Sequence, residues 1–520
     1  MKTWACLILG IVLTAPLAAQ ELNPDTLLRP LGPAWPTYNG DYSGRRFSSL
    51  AQINTSNVRD LTLVWTWDSG NVPIKATPLM VDGVLYVASP DHAWSVDART
   101  GRQIWHWQTA SRGGTHIGNR GVGMYGRWIF LVTPDDYLVS LKAATGKERW
   151  RIEIADLKLD FFSTVAPVVI RNHVLVSPSI ESTDNRGYLD SYDPETGKLQ
   201  WRWYATPDPG QPGSETWPNK EALAHGGGAI WIPGTYAPDL NLYYFGTANP
   251  QPVMAGQGRR GDNLWANSIV ALNPDSGIMA WFYQTTPHDV HDWDSAETPI
   301  LFDTEINGRP RKLLAQANRD GYFFVLDRTN GDHILTAPFA SNNWAQGLDA
   351  KGRPIADRSK DPQPAGALVI PSEGGATNWF PPSLDPETGL FYVRVTRSAA
   401  VFYLTDTSPK PEAWGGTDKY VWNGPSSIEA IHGTTGKIAW DHPTGVGGVS
   451  GLLATAGNLL FGGDGSGNAL ALDATTGRTL WHVSLNEGMY DGPITYQLDG
   501  RQYVVLGAGA KLFAFALPQH

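Results

Sequence analysis

Asp97-Ala-Arg-Thr-Gly101, with Trp105 four residues further on, is the first clean copy of a unit that recurs along the chain. It returns as Lys142-Ala-Ala-Thr-Gly146 with Trp150, Asp193-Pro-Glu-Thr-Gly197 with Trp201, and Asn273-Pro-Asp-Ser-Gly277 with Trp281. His432-Gly-Thr-Thr-Gly436 with Trp440 and Asp473-Ala-Thr-Thr-Gly477 with Trp481 follow later. Asp327-Arg-Thr-Asn-Gly331 and Asp385-Pro-Glu-Thr-Gly389 repeat the turn but carry no Trp at that distance. The Asx and Thr side chains suit the cap of a tight turn, and the glycine suits its positive-φ position. The Trp then begins a strand, and its ring can lie against the next unit. Apolar segments such as Val84-Leu-Tyr-Val87, Trp128-Ile-Phe-Leu-Val132 and Leu459-Leu-Phe461 run between the turns. The intervals from Trp105 to Trp150 and from Trp150 to Trp201 are 45 and 51 residues, and Trp440 to Trp481 is 41. About 40 to 50 residues suits a four-stranded blade, and the longer gap from Trp201 to Trp281 leaves room for inserted loops. Eight turns predict an all-β chain folded as an eight-bladed β-propeller. Trp65, in Leu61-Thr-Leu-Val-Trp65, predicts an N-terminal strand that closes the ring on the last blade and so removes free sheet edges.

Composition agrees with many short strands and tight turns: Gly 56, Pro 38, Trp 22 and 11% aromatics in 520 residues. No linker or low-complexity stretch divides the chain, so residues 20–520 are expected to form a single domain. A formal charge of -10 disfavours nucleic acid and anionic membranes as partners. At the N-terminus, Met1-Lys2, the apolar run from Leu7 to Leu17 and the small residues Ala18-Ala19 read as a secretory signal over residues 1–19. The mature chain is therefore expected in the periplasm. With no second apolar stretch, it is expected to have no membrane span. Cys6 is the only cysteine and lies in that signal, which excludes a disulfide, a thiolate metal site and a C-x-x-C-H haem attachment from the mature chain.

The repeat and its flanks resemble the tryptophan-docked propeller of the PQQ-dependent alcohol dehydrogenases, the quinoprotein methanol and ethanol dehydrogenases. The likeness runs from Trp35-Pro-Thr-Tyr-Asn-Gly-Asp41 to Tyr503-Val-Val-Leu-Gly-Ala-Gly-Ala510 and Phe513-Ala-Phe-Ala-Leu-Pro518. It implies a propeller with tryptophan-docking repeats, bound pyrroloquinoline quinone (PQQ), and a metal ion on the axis that polarises a quinone carbonyl. It also implies a carboxylate that accepts the alcohol proton while hydride passes to the quinone C5 carbon. Hard cations take oxygen ligands. The metal set that the resemblance implies is Glu181, ending Val174-Leu-Val-Ser-Pro-Ser-Ile-Glu181, and Asn249, in Tyr244-Phe-Gly-Thr-Ala-Asn-Pro250, together with aspartates of Thr286-Pro-His-Asp-Val-His-Asp-Trp-Asp-Ser295.

Ungapped register from Thr286-Pro287 and from Thr298-Pro-Ile-Leu301 makes Asp292 the base; the Trp-Asp dipeptide alone would choose Asp294. A second Asp two residues past the base marks lanthanide-using members. Alternate residues of an extended segment face one side, so both carboxylates can reach one ion. Relatives resembling membrane-type glucose dehydrogenases carry a similar Asp-x-Asp with a divalent metal, so Ca²⁺ and a lanthanide ion both stand. His288 and His291 lack a third ligand for zinc and are expected to hydrogen-bond in the loop or line the substrate entrance.

For the quinone, the resemblance implies Trp231 as the floor beneath the ring, Arg120 and Thr164 on its carboxylates, and Arg319 near its reacting oxygens. Asn378 and Trp379 are further contacts. Lys75 stands where the family has Glu, and a lysine there can pair with a cofactor carboxylate. The adjacent Cys-Cys of the family is absent. Its place reads Gly113-Gly-Thr-His-Ile117, which leaves the His116 imidazole or backbone as the roof, and Val449 replaces a Trp before the last blade. These departures resemble membrane-type quinoprotein glucose dehydrogenases and widen the expected substrate to any alcohol, polyol or sugar hydroxyl. With no haem site, electrons are expected to leave through a separate periplasmic cytochrome c or quinone. The alternative from another class is a non-catalytic propeller acting as a periplasmic scaffold or binding module. A hydrolase built on the Asp and His cluster lacks a nucleophile motif.

Overall fold

A computed structural model describes residues 21–519 apart from 71, 115–116, 181–183 and 448–449. The expected signal sequence, Glu181, His116 and Val449 therefore lie outside the described residues. The chain is all-β: among the described residues the one α-helix is Lys220–Ala224. Seven four-stranded sheets and one five-stranded sheet follow one another along the sequence. The first consists of Leu79–Val81, Val84–Ser89, His92–Asp97 and Gln103–Gln108, each antiparallel to the next. In the eighth, Ile494–Leu498, Arg501–Ala508 and Lys511–Ala516 are completed by Thr62–Asp68 from the other end of the chain, antiparallel to Lys511–Ala516. The strand expected at Trp65 is this one.

The repeated turn joins the third and fourth strands of its sheet. In the first copy Asp97 Oδ1 accepts the backbone N–H of Arg99 and of Thr100, each at 3.0 Å, and Gly101 has φ +71°. The following Trp lies against the turn of the next sheet. Trp105 donates its indole N–H to the carbonyl of Ala143 at 2.8 Å, and a methyl on Gly146 would come within 2.6 Å of its ring. Trp65 meets Gly101 in the same way, as do Trp201 and Gly277, Trp281 and Gly331, and Trp440 and Gly477. Where the Trp is missing after Gly331, Ala337 and Leu335 face Gly436. Trp481 packs edge-on against Phe515 of the eighth sheet at 5.1 Å. In one apolar cluster Leu85 and Trp94 of the first sheet pack with Leu506 and Phe515 of the eighth.

Gly146 needs both a left-handed backbone and the absence of a side chain. Gly146→Ala is therefore expected to cost about 2–3 kcal/mol, read as a lowered thermal midpoint. A midpoint within a degree of the parent would mean that the Trp105 contact is not tight.

One copy of the turn does not join third and fourth strands. Asp385-Pro-Glu-Thr-Gly389 joins the first and second strands of the sixth sheet, Ser383–Asp385 and Leu390–Val395, and a methyl on Gly389 would meet no described atom within 4 Å, so no Trp ring lies there. The eighth sheet needs no such turn, because its fourth strand comes from Thr62–Asp68.

Candidate functional site

Antiparallel order puts the third-to-fourth-strand turns at one end of the sheets. Connections from the second to the third strand, and from one sheet to the next, lie at the opposite end. Nearly all the candidate residues sit on the latter. Arg120, Thr164, Trp231, Asp292 and Asn378 lie between successive sheets, Asn249 and Arg319 between second and third strands, and Lys75 between Thr62–Asp68 and the first sheet. All ten described candidates line one cavity of about 240 Å³: Lys75, Arg120, Thr164, Trp231, Asn249, Asp292, Asp294, Arg319, Asn378 and Trp379. Ile180, which precedes Glu181, lines it too.

Arg319 organises the acidic side of this cavity. One guanidinium nitrogen, Nη1, donates to Asp294 Oδ2 at 3.0 Å. The other, Nη2, donates to Asp292 Oδ2 at 3.0 Å, to the Glu373 carbonyl at 2.7 Å and to Glu373 Oε1 at 3.2 Å. Asp294 is held further by the Trp231 indole N–H at 2.9 Å and by the backbone N–H of Asn249, which reaches its Oδ1 at 2.7 Å. Burial pushes both aspartates above the usual carboxylate range, and the Arg319 charge opposes the shift.

The loop carrying these aspartates is not an extended strand. Asp292 has φ +65°, and Trp293 beside it is fully buried, with its indole donating to the Ser372 carbonyl at 2.9 Å. The shared direction of Asp292 and Asp294 comes from this left-handed kink around an anchored Trp, not from strand alternation. Asp289, the third aspartate of the stretch, accepts the backbone N–H groups of His291 and Trp293 at 3.1 and 3.0 Å and so shapes the loop. His288 bonds the Gly261 carbonyl and His291 the Lys360 carbonyl, and neither ring lines the cavity. Of the two expectations for these histidines, the loop role is the one found.

A second group of residues lining the cavity is cationic. The Arg120 guanidinium lies 4.6 Å from the Trp231 ring centre and 5.1 Å from that of Trp379, and it donates to the Thr164 hydroxyl. Among the described residues no carboxylate pairs with it, its Nε has no partner, and burial lowers its pKa to about 10. A buried cation without a counter-charge is costly, so this group is built for an anion. The Lys75 ammonium reaches the Ile117 carbonyl at 2.5 Å, and its pKa is lowered by burial and by Arg120. Asn378 is pinned by its side-chain donation to the Gly374 carbonyl at 3.0 Å, and its Oδ1 accepts the Trp379 N–H.

These groups suit both expected ligands. Asp292, Asp294 and Glu373 bring three carboxylates to one guanidinium. That deficit of positive charge, with the neighbouring Asn249 amide, fits a hard cation. Arg120 beside two indole planes, together with Lys75 on the same cavity, fits a flat, multiply charged anion. Sequence reasoning did not single out Glu373 or the wall residues Phe162 and Trp414. Glu373 directly precedes the Gly374-Gly375 pair that marks the Asn378 loop, and that proximity was its one available signal.

The sequence matches the family profile described as PQQ: glucose/ethanol/alcohol dehydrogenase, β-propeller domain, over residues 35–339 and 415–504. It is 37% identical over 527 residues to the quinohemoprotein alcohol dehydrogenase of Comamonas testosteroni, covering 92% of this chain and 73% of that one. It is 31% identical to the lanthanide-dependent methanol dehydrogenase of Methylacidiphilum fumariolicum, over 99% of this chain and 91% of the other. The crystal structure of the Comamonas testosteroni enzyme superposes with a TM-score of 0.89 at 32% identity, covering 97% of this chain and 84% of that one. The chain belongs to the PQQ-dependent alcohol dehydrogenase family.

Proposed function

We propose that this chain is a periplasmic dehydrogenase that uses PQQ and a Ca²⁺ or lanthanide ion to oxidise a hydroxyl group of an alcohol, polyol or sugar. Its electrons pass to a separate cytochrome c or quinone, a reading consistent with the absence of a C-x-x-C-H haem attachment within residues 1–520. The observation that carries the reading is the convergence of ten residues, drawn from connections far apart in the sequence, on one cavity lined by both acidic and cationic residues.

Arg120, Thr164 and Lys75 would hold the quinone carboxylates, with Trp231, Asn378 and Trp379 holding the ring. Asn249, Asp292 and Asp294, joined by Glu181, would hold the metal. Bound there, the quinone supplies the hydride acceptor. Asp292 takes the proton of the substrate hydroxyl at a carboxylate oxygen. Arg319 fixes the direction of Asp292 through Nη2 and balances negative charge that grows beside it.

The eight sheets are read as eight blades of one closed ring formed by residues 20–520, after a signal peptide at 1–19. The run of sheet-to-sheet contacts from Trp65 on Gly101 round to Trp481 on Phe515 supports that reading.

The experiment is reconstitution of the purified protein with PQQ plus Ca²⁺ or La³⁺, following dye reduction across alcohols, polyols and aldoses. Turnover with at least one metal is expected; none with either overturns the reading. A trivalent ion gains more from an added carboxylate than Ca²⁺ does. Asp294→Ala is therefore expected to cut La³⁺-supported turnover at least roughly tenfold more than Ca²⁺-supported turnover. Equal losses with both ions would remove Asp294 from the metal set.

A further inference from the structure

Three carboxylates share the Arg319 guanidinium, and the proposed chemistry uses two of them. The third, Glu373, is the outermost: its side chain is 29% exposed, against 12% for Asp292 and 6% for Asp294. A substrate whose reacting hydroxyl meets Asp292 therefore has the more exposed Glu373 carboxylate beside it. The two carboxylates are close, because Asp292 Oδ2 and Glu373 Oε1 accept from the same nitrogen, Arg319 Nη2, at 3.0 and 3.2 Å. Acceptors bridged by a single donor atom are within reach of two hydroxyls on adjacent carbons, each hydrogen bond spanning about 2.7 Å.

The position of Glu373 is fixed rather than accidental. The Trp293 indole binds the Ser372 carbonyl, Gly375 N–H closes back on the same carbonyl at 2.9 Å, and Gly374 N–H reaches the Tyr420 hydroxyl at 3.2 Å. Arg319 and Asn378 hold the carbonyls of Glu373 and Gly374. Trp293 stands between Asp292 and Asp294, so the anchor that sets the aspartates also sets the turn bearing Glu373. The nearby wall residues Phe162, Ile180 and Trp414 supply no charge.

We infer that Glu373 is a specificity-determining residue, selecting substrates that carry a second hydrogen-bond donor on the carbon next to the reacting carbinol. This rests on the dehydrogenase reading above. A plain primary alcohol covers the Glu373 carboxylate without giving it a donor, whereas a vicinal diol or a 2-amino alcohol satisfies it. A site that binds a substrate donor discriminates strongly against the analogue that lacks it.

The test compares propane-1,2-diol, 2-aminopropan-1-ol and propan-1-ol on the reconstituted enzyme and on its Glu373→Gln and Glu373→Leu variants. Two readouts are taken: kcat/KM, and the Kd for each compound on pre-reduced holoenzyme, where no turnover occurs, from fluorescence of the cavity tryptophans. The parent is expected to favour a donor-bearing compound over propan-1-ol by at least about tenfold in both. Glu373→Leu is expected to abolish that preference and Glu373→Gln to weaken it. The stronger of diol and amino alcohol identifies a polyol or a cationic substrate, and either supports the inference. A parent that prefers propan-1-ol, or a preference unchanged in both variants, overturns it. Quinone uptake is checked first by absorbance; a parent that takes up no quinone and turns over none of the three overturns the dehydrogenase reading itself.

Discussion

Asp292→Asn is expected to lower kcat by roughly 10²–10⁴-fold while leaving quinone uptake within a few fold of the parent. The argument rests on where the side chain sits. Its carboxylate is buried in the cavity wall and held by Arg319 Nη2 at 3.0 Å, beside a second acid, Asp294. An amide keeps the volume and can still accept from Arg319, so the loop is retained. It has no basic oxygen for the substrate proton. The cationic residues that bind the quinone, Arg120 and Lys75, are untouched, and the amide oxygen can still serve as a metal ligand. Stopped-flow reduction of the bound quinone, with uptake measured separately, checks both halves. A kcat within threefold of the parent would move the base elsewhere, with Asp294 the first residue to examine.

Arg120→Met is expected to act in two opposite directions. Quinone affinity falls by about 100-fold or more, because a buried guanidinium directed at an anionic ligand is lost. The cofactor-free protein, by contrast, keeps its thermal midpoint or gains on it. Among the described residues Arg120 faces no carboxylate, and its Nε has no partner, so the folded protein holds a desolvated charge offset only by Thr164 and two indole rings until an anion binds. Met retains much of the volume between the Trp231 and Trp379 rings without that charge. A lowered midpoint with unchanged quinone affinity would instead make Arg120 a structural residue.

How much of this was legible in the sequence depends on the range of the interaction. The turn is local: an Asx cap, a Thr and a left-handed Gly are chemistry within five residues, and the Trp that follows reports the packing of the next unit. The same five residues also make a good turn between first and second strands, which is why Asp385–Gly389 reads like the other copies although it serves a different hairpin. The cavity set was legible through resemblance, one residue at a time. Its arrangement was not. Nothing in Asp292-Trp-Asp294 announces that Trp293 is an anchor, that Asp292 is left-handed, or that Asp289 is occupied with backbone N–H groups. Glu373 was missed because its meaning comes from Arg319, more than fifty residues away in the chain, through a contact no local pattern encodes.

The central claim is that one cavity holds the quinone and the metal together. The most direct measurement is an absorbance titration of the purified protein with PQQ in the presence and absence of Ca²⁺ or La³⁺. The account predicts saturable uptake of about one quinone per chain, tightened by the metal and weakened by Arg120→Met. Absence of uptake with either ion, in protein whose thermal transition shows it to be folded, would contradict it.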